Sequence, residues 1–122
     1  MAYTTYDTIG YDYNDCDWET GEPHKKMITM YLKDTVLVWD NESGRYMFED
    51  NEQELHCGNT FEILASTDPD IYVPVRIESG KDGYYLIAEK VTIYANNGRL
   101  DGKAVRRYVS KFEYWDAMRG AQ

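Results

Sequence analysis

From Lys26 onward, short runs of alternating apolar and polar residues are cut by clusters of Gly, Asn, Asp and Pro. The cuts fall at intervals of about 8–12 residues, the spacing of strands and turns in an all-β sandwich or small barrel. This punctuation limits the fold more than any other feature, because it leaves little room for long helices and period-two alternation belongs to half-buried strands. Lys26–Lys33 places Met27, Thr29 and Tyr31 on one face and Ile28, Met30 and Leu32 on the other. Lys33-Asp34 reads as a short turn into Thr35–Asp40. Asn41-Glu42-Ser43-Gly44 carries turn chemistry, and Arg45–Asp50 reads as the returning strand. Glu54–Cys57 and Thr60–Ala65 flank Gly58-Asn59, the connection expected of a tight hairpin. Tyr72–Ser79 alternates around Pro74, which has no N–H to donate and so predicts an edge strand or a non-bonded position. Tyr84–Glu89 and Lys90–Asn96 are two further strand-like runs.

The two ends read differently. Residues 1–23 hold turn formers (Gly10, Asn14, Asp15, Gly21, Pro23) and few aliphatics, and predict an irregular or weakly extended arm docked by Ile9 and Trp18. At the other end Val105, Tyr108, Val109, Phe112, Trp115 and Met118 recur at three and four residues, the helical period. Ala104–Val109 also has strand character. The expectation is a closing strand to about Tyr108, then a short amphipathic helix to about Met118. The chain thus reads as one mainly β domain over 1–122: an acidic aromatic arm (1–23), a β core (24–109) and a short helix or tail (110–122).

Charge narrows the class of role. The net charge is −9, and the first 22 residues carry Asp7, Asp12, Asp15, Asp17, Glu19 and Glu22 with no Lys or Arg. Tyr3, Tyr6, Tyr11, Tyr13 and Trp18 are interleaved with them. Long-range repulsion disfavours direct binding of DNA or RNA. Residues 99–119 invert the sign, with Arg99, Lys103, Arg106, Arg107, Lys111 and Arg119 against Asp101, Glu113 and Asp116; the net charge favours pairing of these bases with the chain's own excess acids over contact with nucleic acid. Twelve tyrosines suit both sheet formation and recognition surfaces. No apolar run approaches the roughly 18 residues of a membrane span, and no secretory leader is expected. Two cysteines without a motif, Cys16 and Cys57, suit reduced thiols in a cytoplasm.

The residues give no reaction centre. Cys16, His24, His56 and Cys57 lack zinc spacing. The run from Asp12 to Asp17 resembles a calcium loop, but Cys16, Asp17 and Pro23 occupy its fifth, sixth and twelfth positions, where oxygen, Gly and Glu are needed. Adjacent His56 and Cys57 on a strand would face apart, which spoils a thiol–imidazole pair. There is no phosphate-binding Gly-rich loop, and solvated carboxylates rarely have the raised pKa of a general acid. No enzyme activity, metal or cofactor is expected.

An ordered series of short matches runs through the middle of the chain: Gly44-Arg45-Tyr46, Glu54-Leu55-His56-Cys57-Gly58, Phe61-Glu62-Ile63-Leu64, Val73-Pro74-Val75-Arg76-Ile77-Glu78 and Gly83-Tyr84-Tyr85-Leu86. It resembles domain of unknown function family 5348, short proteins of phages and conjugative elements, over roughly Gly44–Arg107. Tyr72, Val75 and Tyr84 replace the family's Trp, Thr and Trp. Leu100, Gly102 and Val105-Arg106 match its ending. The resemblance implies a small SH3-like barrel and a mobile-element origin; with the reading of the cysteines, the expected setting is a bacterial cytoplasm, and the resemblance implies no chemistry. Taken by themselves, Cys57 suits a barrel interior, and Arg76 and Glu78 suit cross-strand ion pairs.

Two roles follow as expectations. In the first, the chain is an acidic inhibitor of a basic protein, in concrete form an anti-CRISPR against an RNA-guided nuclease, whose channel holds nucleic acid by positive charge. Its contact residues would be Asp7, Asp12, Asp15, Asp17, Glu19, Glu22, Glu49, Asp50, Glu52 and Glu54, with Tyr11, Tyr13 and Trp18 supplying contact area. In the second, it is a small β-barrel accessory module of conjugation or replication machinery, binding nucleic acid or a protein through Arg99, Lys103, Arg106, Arg107 and Lys111.

Overall fold

The computed structural model describes residues 2–120; the last two positions of the expected tail lie outside them. Eight strands form one antiparallel sheet, followed by a single helix. The strands are β1 (Tyr3–Cys16), β2 (Pro23–Asp40), β3 (Arg45–Phe48), β4 (Thr60–Ser66), β5 (Ile71–Gly80), β6 (Gly83–Ala88), β7 (Val91–Tyr94) and β8 (Ala104–Tyr108). A 3-10 turn, Asn96–Gly98, precedes β8, and helix α1 spans Lys111–Gly120. The order is β1-β2-β8-β4-β5-β6-β7, with β3 added to β2. This is an open sheet that ends at β1 and β7, the compact antiparallel alternative, and not the closed barrel that the resemblance implies.

The described residues divide into two compact units: residue 2 with 33–108, and residues 3–32 with 109–120. In the first, register aligns the apolar positions. Phe61 faces Val75, Ile63 faces Val73 and Ile77 faces Leu86. Leu37 faces Phe48 and Trp39 faces Tyr46. Side chains opposite each other share a face, so these strands build one core with Leu55, Ala95 and Val105. Burying each large member contributes about 1.5–3 kcal/mol. Tyr46 is buried too, and its phenol donates to the Ala95 carbonyl at 2.5 Å and accepts from the Leu100 amide at 3.0 Å.

The second unit is a two-stranded ribbon, β1 with the first half of β2, plus α1. Ser110 caps the helix, its Oγ accepting from the Glu113 amide at 3.0 Å. Tyr114 sets its ring against Tyr3 and Tyr31, with centroids 6.0 and 5.1 Å apart. The Tyr3 hydroxyl donates to Glu113 at 3.2 Å.

Several expectations are corrected. Residues 3–16 form a regular strand, so of the irregular and weakly extended alternatives the extended one is nearer. Their Thr and Tyr content favours extended backbone, and Gly10 marks no turn: a Cβ there would stand 2.8 Å from Ile28 Cδ1. Ile9 and Trp18 do not dock; they are 61% and 90% exposed. Lys33-Asp34 is no turn, because β2 runs on through it, and the two charges point into ion pairs with Asp50 and Arg106. Glu54–Cys57 forms only an isolated bridge, Glu54 with Met47. The turn at Gly58-Asn59 bonds to Ile77 of β5 instead of closing a hairpin. Cys57 is exposed, with its thiol 3.2 Å from Ser79 Oγ. Arg76 and Glu78 pair with each other, at 3.8 Å, rather than across strands. Pro74 sits in an interior strand, but pairing to β6 begins only at Arg76. The missing N–H therefore costs no ladder bond, the second of the two outcomes its sequence predicts.

Candidate protein-binding ribbon

The acids of the N-terminal segment all lie on the ribbon or its tip, and most carry a local structural duty. Asp7 accepts from Thr29 Oγ1 at 2.7 Å across the two strands. Asp12 lies 3.6 Å from Lys26 Nζ and accepts from the Asn14 amide at 3.0 Å. Asp15 lies 3.2 Å from His24 Nδ1. Asp17 shapes the tip by accepting from the Glu19 and Thr20 amides at 2.8 and 3.1 Å. Those backbone hydrogen bonds, with Glu19 first, hold its carboxyl below the usual carboxylate range. Glu19 and Glu22 sit exposed in the same tip. Trp18 is held between Asp17 and Glu19 with its ring in solvent.

The aromatic residues make a second layer of the same element. The Tyr11 and Tyr13 rings stand 6.5 Å apart, on one face of β1. Alternation puts Ile9 on that face too. With Met27 it borders a shallow depression that Lys25 and Lys26 complete. Ile9, Tyr11, Tyr13 and Met27 are all more than half exposed. On α1, Phe112, Trp115 and Met118 are also exposed; Phe112 meets Trp115 edge to face at 5.9 Å, with Lys111 above both rings. Sequence reasoning missed Ile9 and Met27 as contact candidates. The signal available was their place on the Tyr11 and Tyr13 side of a ribbon, legible only once residues 3–16 are read as a strand. It also missed the Ser110-x-x-Glu113 pattern that starts the helix.

The remaining acids belong to the first unit and divide sharply. Glu49 and Glu52 are exposed, and Glu54 lies 4.0 Å from Arg45 Nε. Asp50 is no surface group: its side chain is 6% exposed and is shared by Lys33 at 2.9 Å and Arg107 at 2.8 Å. Burial alone would raise its pKa, but hydrogen bonds from Arg107 and Lys33 outweigh that and hold it below its ordinary value.

The basic set is divided as well. The Arg107 side chain is 8% exposed against Asp50. Arg106 bonds Asp34 at 2.8 Å and lies 3.9 Å over the Tyr72 ring. Arg99 and Lys103 are exposed in the first unit, and Lys111 in the second. Among the described residues, no three His, Cys, Asp or Glu side chains gather as a metal site requires. Among the described residues no helix is long and apolar enough to cross a membrane.

The architecture is that of a mainly β protein: an antiparallel-sheet unit from which an acidic, aromatic ribbon is built separately. The chain belongs to the family of the domain of unknown function DUF5348, whose model matches residues 35–106, more than half of its length. The match begins inside β2 and ends inside β8. The ribbon and α1 therefore lie outside it. No curated protein and no solved structure gives a significant match.

Proposed function

We propose that the protein is a non-catalytic inhibitor from a phage or mobile element, whose ribbon binds a basic nucleic-acid-handling enzyme of host defence. The concrete form is an anti-CRISPR directed at an RNA-guided nuclease. The observation that carries this reading is the ribbon itself. Asp15, Glu19 and Glu22 are exposed around the solvent-facing Trp18, with Tyr11 and Tyr13 behind them. Carboxylates standing where phosphates would lie are attracted to the positively charged channel that such a nuclease uses for its heteroduplex. Aromatic side chains add the desolvated contact that slows release. The accessory-module alternative draws on Arg106 and Arg107, and their engagement with Asp34 and Asp50 favours the acidic reading over it.

The test is a cleavage assay with a panel of purified, guide-loaded RNA-guided nucleases at low and moderate salt. Inhibition of at least one member, weakening as salt rises, is expected. Unimpaired cleavage across the panel would overturn the reading.

A further inference from the structure

We infer that the outer edge of β1 is a docking site for an extended, Lys- and Arg-rich segment of a protein partner, added to the sheet as a further strand. The inference rests on the ribbon being the partner-binding element, and adds how it binds.

β1 ends the sheet, with β2 as its only neighbouring strand among the described residues. It is 14 residues long, against four for β7 at the other end. At about 3.3 Å per residue it offers an edge of about 46 Å. Such an edge presents a row of N–H and C=O groups that templates another strand. Proteins blunt it by shortness, by proline or by charged side chains, lysine above all. β7 is short; β1 has neither proline nor lysine, and its charges, Asp7, Asp12 and Asp15, deter a like-charged strand and not a basic one. Near the tip the edge is partly closed by local bonds, since Asn14 N donates to Asp12 and the Cys16 thiol to the Tyr13 carbonyl. The stretch around Asp7–Asp12 remains as the template.

Charge selects the occupant. A second copy paired antiparallel about Ile9 and Gly10 would set Asp7 against Asp12 of that copy, and like charges directly opposite are destabilising. A basic segment in the same place meets Asp7, Asp12 and Asp15 with opposite charge. Ile9, Tyr11 and Tyr13, exposed on one face, give its side chains an apolar surface to lie beside. This is strand addition, where main-chain bonds supply affinity and alternate side chains supply specificity.

The probe is a ten-residue peptide of alternating Lys and Val, titrated into the full chain. Its counterpart is the same peptide with every backbone nitrogen methylated, which keeps every charge and removes the N–H donors from both edges. The expected result is saturable binding of the first, at least tenfold weaker binding of the second, and new amide-exchange protection within residues 7–12. Equal affinity for both peptides, no binding of either, or protection confined to residues 91–94 would overturn the inference. A dimer that protects residues 7–12 without peptide would also overturn it, by making the second copy the occupant. Peptide binding is scored independently of nuclease inhibition, so failure here leaves the inhibitor reading standing, and the reverse also holds.

Discussion

Arg107 grips Asp50 through both carboxylate oxygens, with Nε at 3.1 and 2.9 Å and Nη2 at 2.8 Å, while both side chains are less than a tenth exposed. Lys33 adds a second cation at 2.9 Å. The sequence alone offers Asp50 as a contact for an outside partner and Arg107 as a base to be met by the chain's own acids; the fold makes them partners of each other, tying β8 and β2 to the segment after β3. Removing the carboxylate would strand two cations. Asp50→Ala is therefore expected to destabilise the protein by about 3–5 kcal/mol, measured by urea unfolding, with Glu49→Ala on the exposed neighbour as the near-neutral control.

The same pair sets a pH dependence. The folded pKa of Asp50 is depressed, so the unfolded chain takes up its proton first as pH falls. Its contribution is complete above the unfolded value of about 3.9 and is lost as pH drops through the folded value. The stability gap between the wild type and Asp50→Asn should be widest near neutrality and shrink on acidification. A gap that holds constant or widens in acid would contradict the ion-pair account.

The phenol of Tyr46 joins two backbone groups far apart in sequence, Ala95 and Leu100, inside the core. Tyr46→Phe keeps the ring and strands both groups, at a cost of about 1–3 kcal/mol. Burial, first among its causes, also raises the phenol's pKa above the ordinary tyrosine value. Thermal melts should show a clear fall in Tm with an unchanged far-ultraviolet spectrum.

Trp18 has almost no structural role, being 90% exposed. Trp18→Ala should change stability by no more than about 0.5 kcal/mol. If it anchors the partner, the same change should weaken binding by about 2 kcal/mol or more. Calorimetry of folding and of binding on one preparation separates the two effects.

The β architecture was legible from alternation and turn spacing, because the core strands bury one face and leave a period-two record: Phe61 and Ile63, Val73, Val75 and Ile77 are such records. The helix near Lys111 was legible from apolar residues at helical spacing, but not for that reason: α1 buries no residue, and Phe112, Trp115 and Met118 lie exposed. β1 was not. Its alternation runs against the usual sense, with the apolar Ile9, Tyr11 and Tyr13 exposed and Thr8, Gly10 and Asp12 half-buried, and Gly10 reads as a turn when its small size admits Ile28. The continuity of β2 was hidden because Lys33 and Asp34 look like solvent-facing turn residues until their partners, distant in sequence, are in place. For the site, the acidic segment was legible as a unit. Internal pairing of Arg106 and Arg107 was legible from the excess of acids; the loss of Asp50 to such a pair was not, since a linear charge count carries no depth.

The most direct test of the account compares wild type with the triple variant Asp15→Lys, Glu19→Lys, Glu22→Lys for affinity to an RNA-guided nuclease that the wild type inhibits. These three acids are exposed at the ribbon tip, and the reversal leaves Asp17, which shapes the turn, in place. The account predicts loss of at least tenfold in affinity, mostly through slower association, with unfolding unchanged. Equal affinity in both proteins would contradict the claim that the acidic ribbon is the binding element.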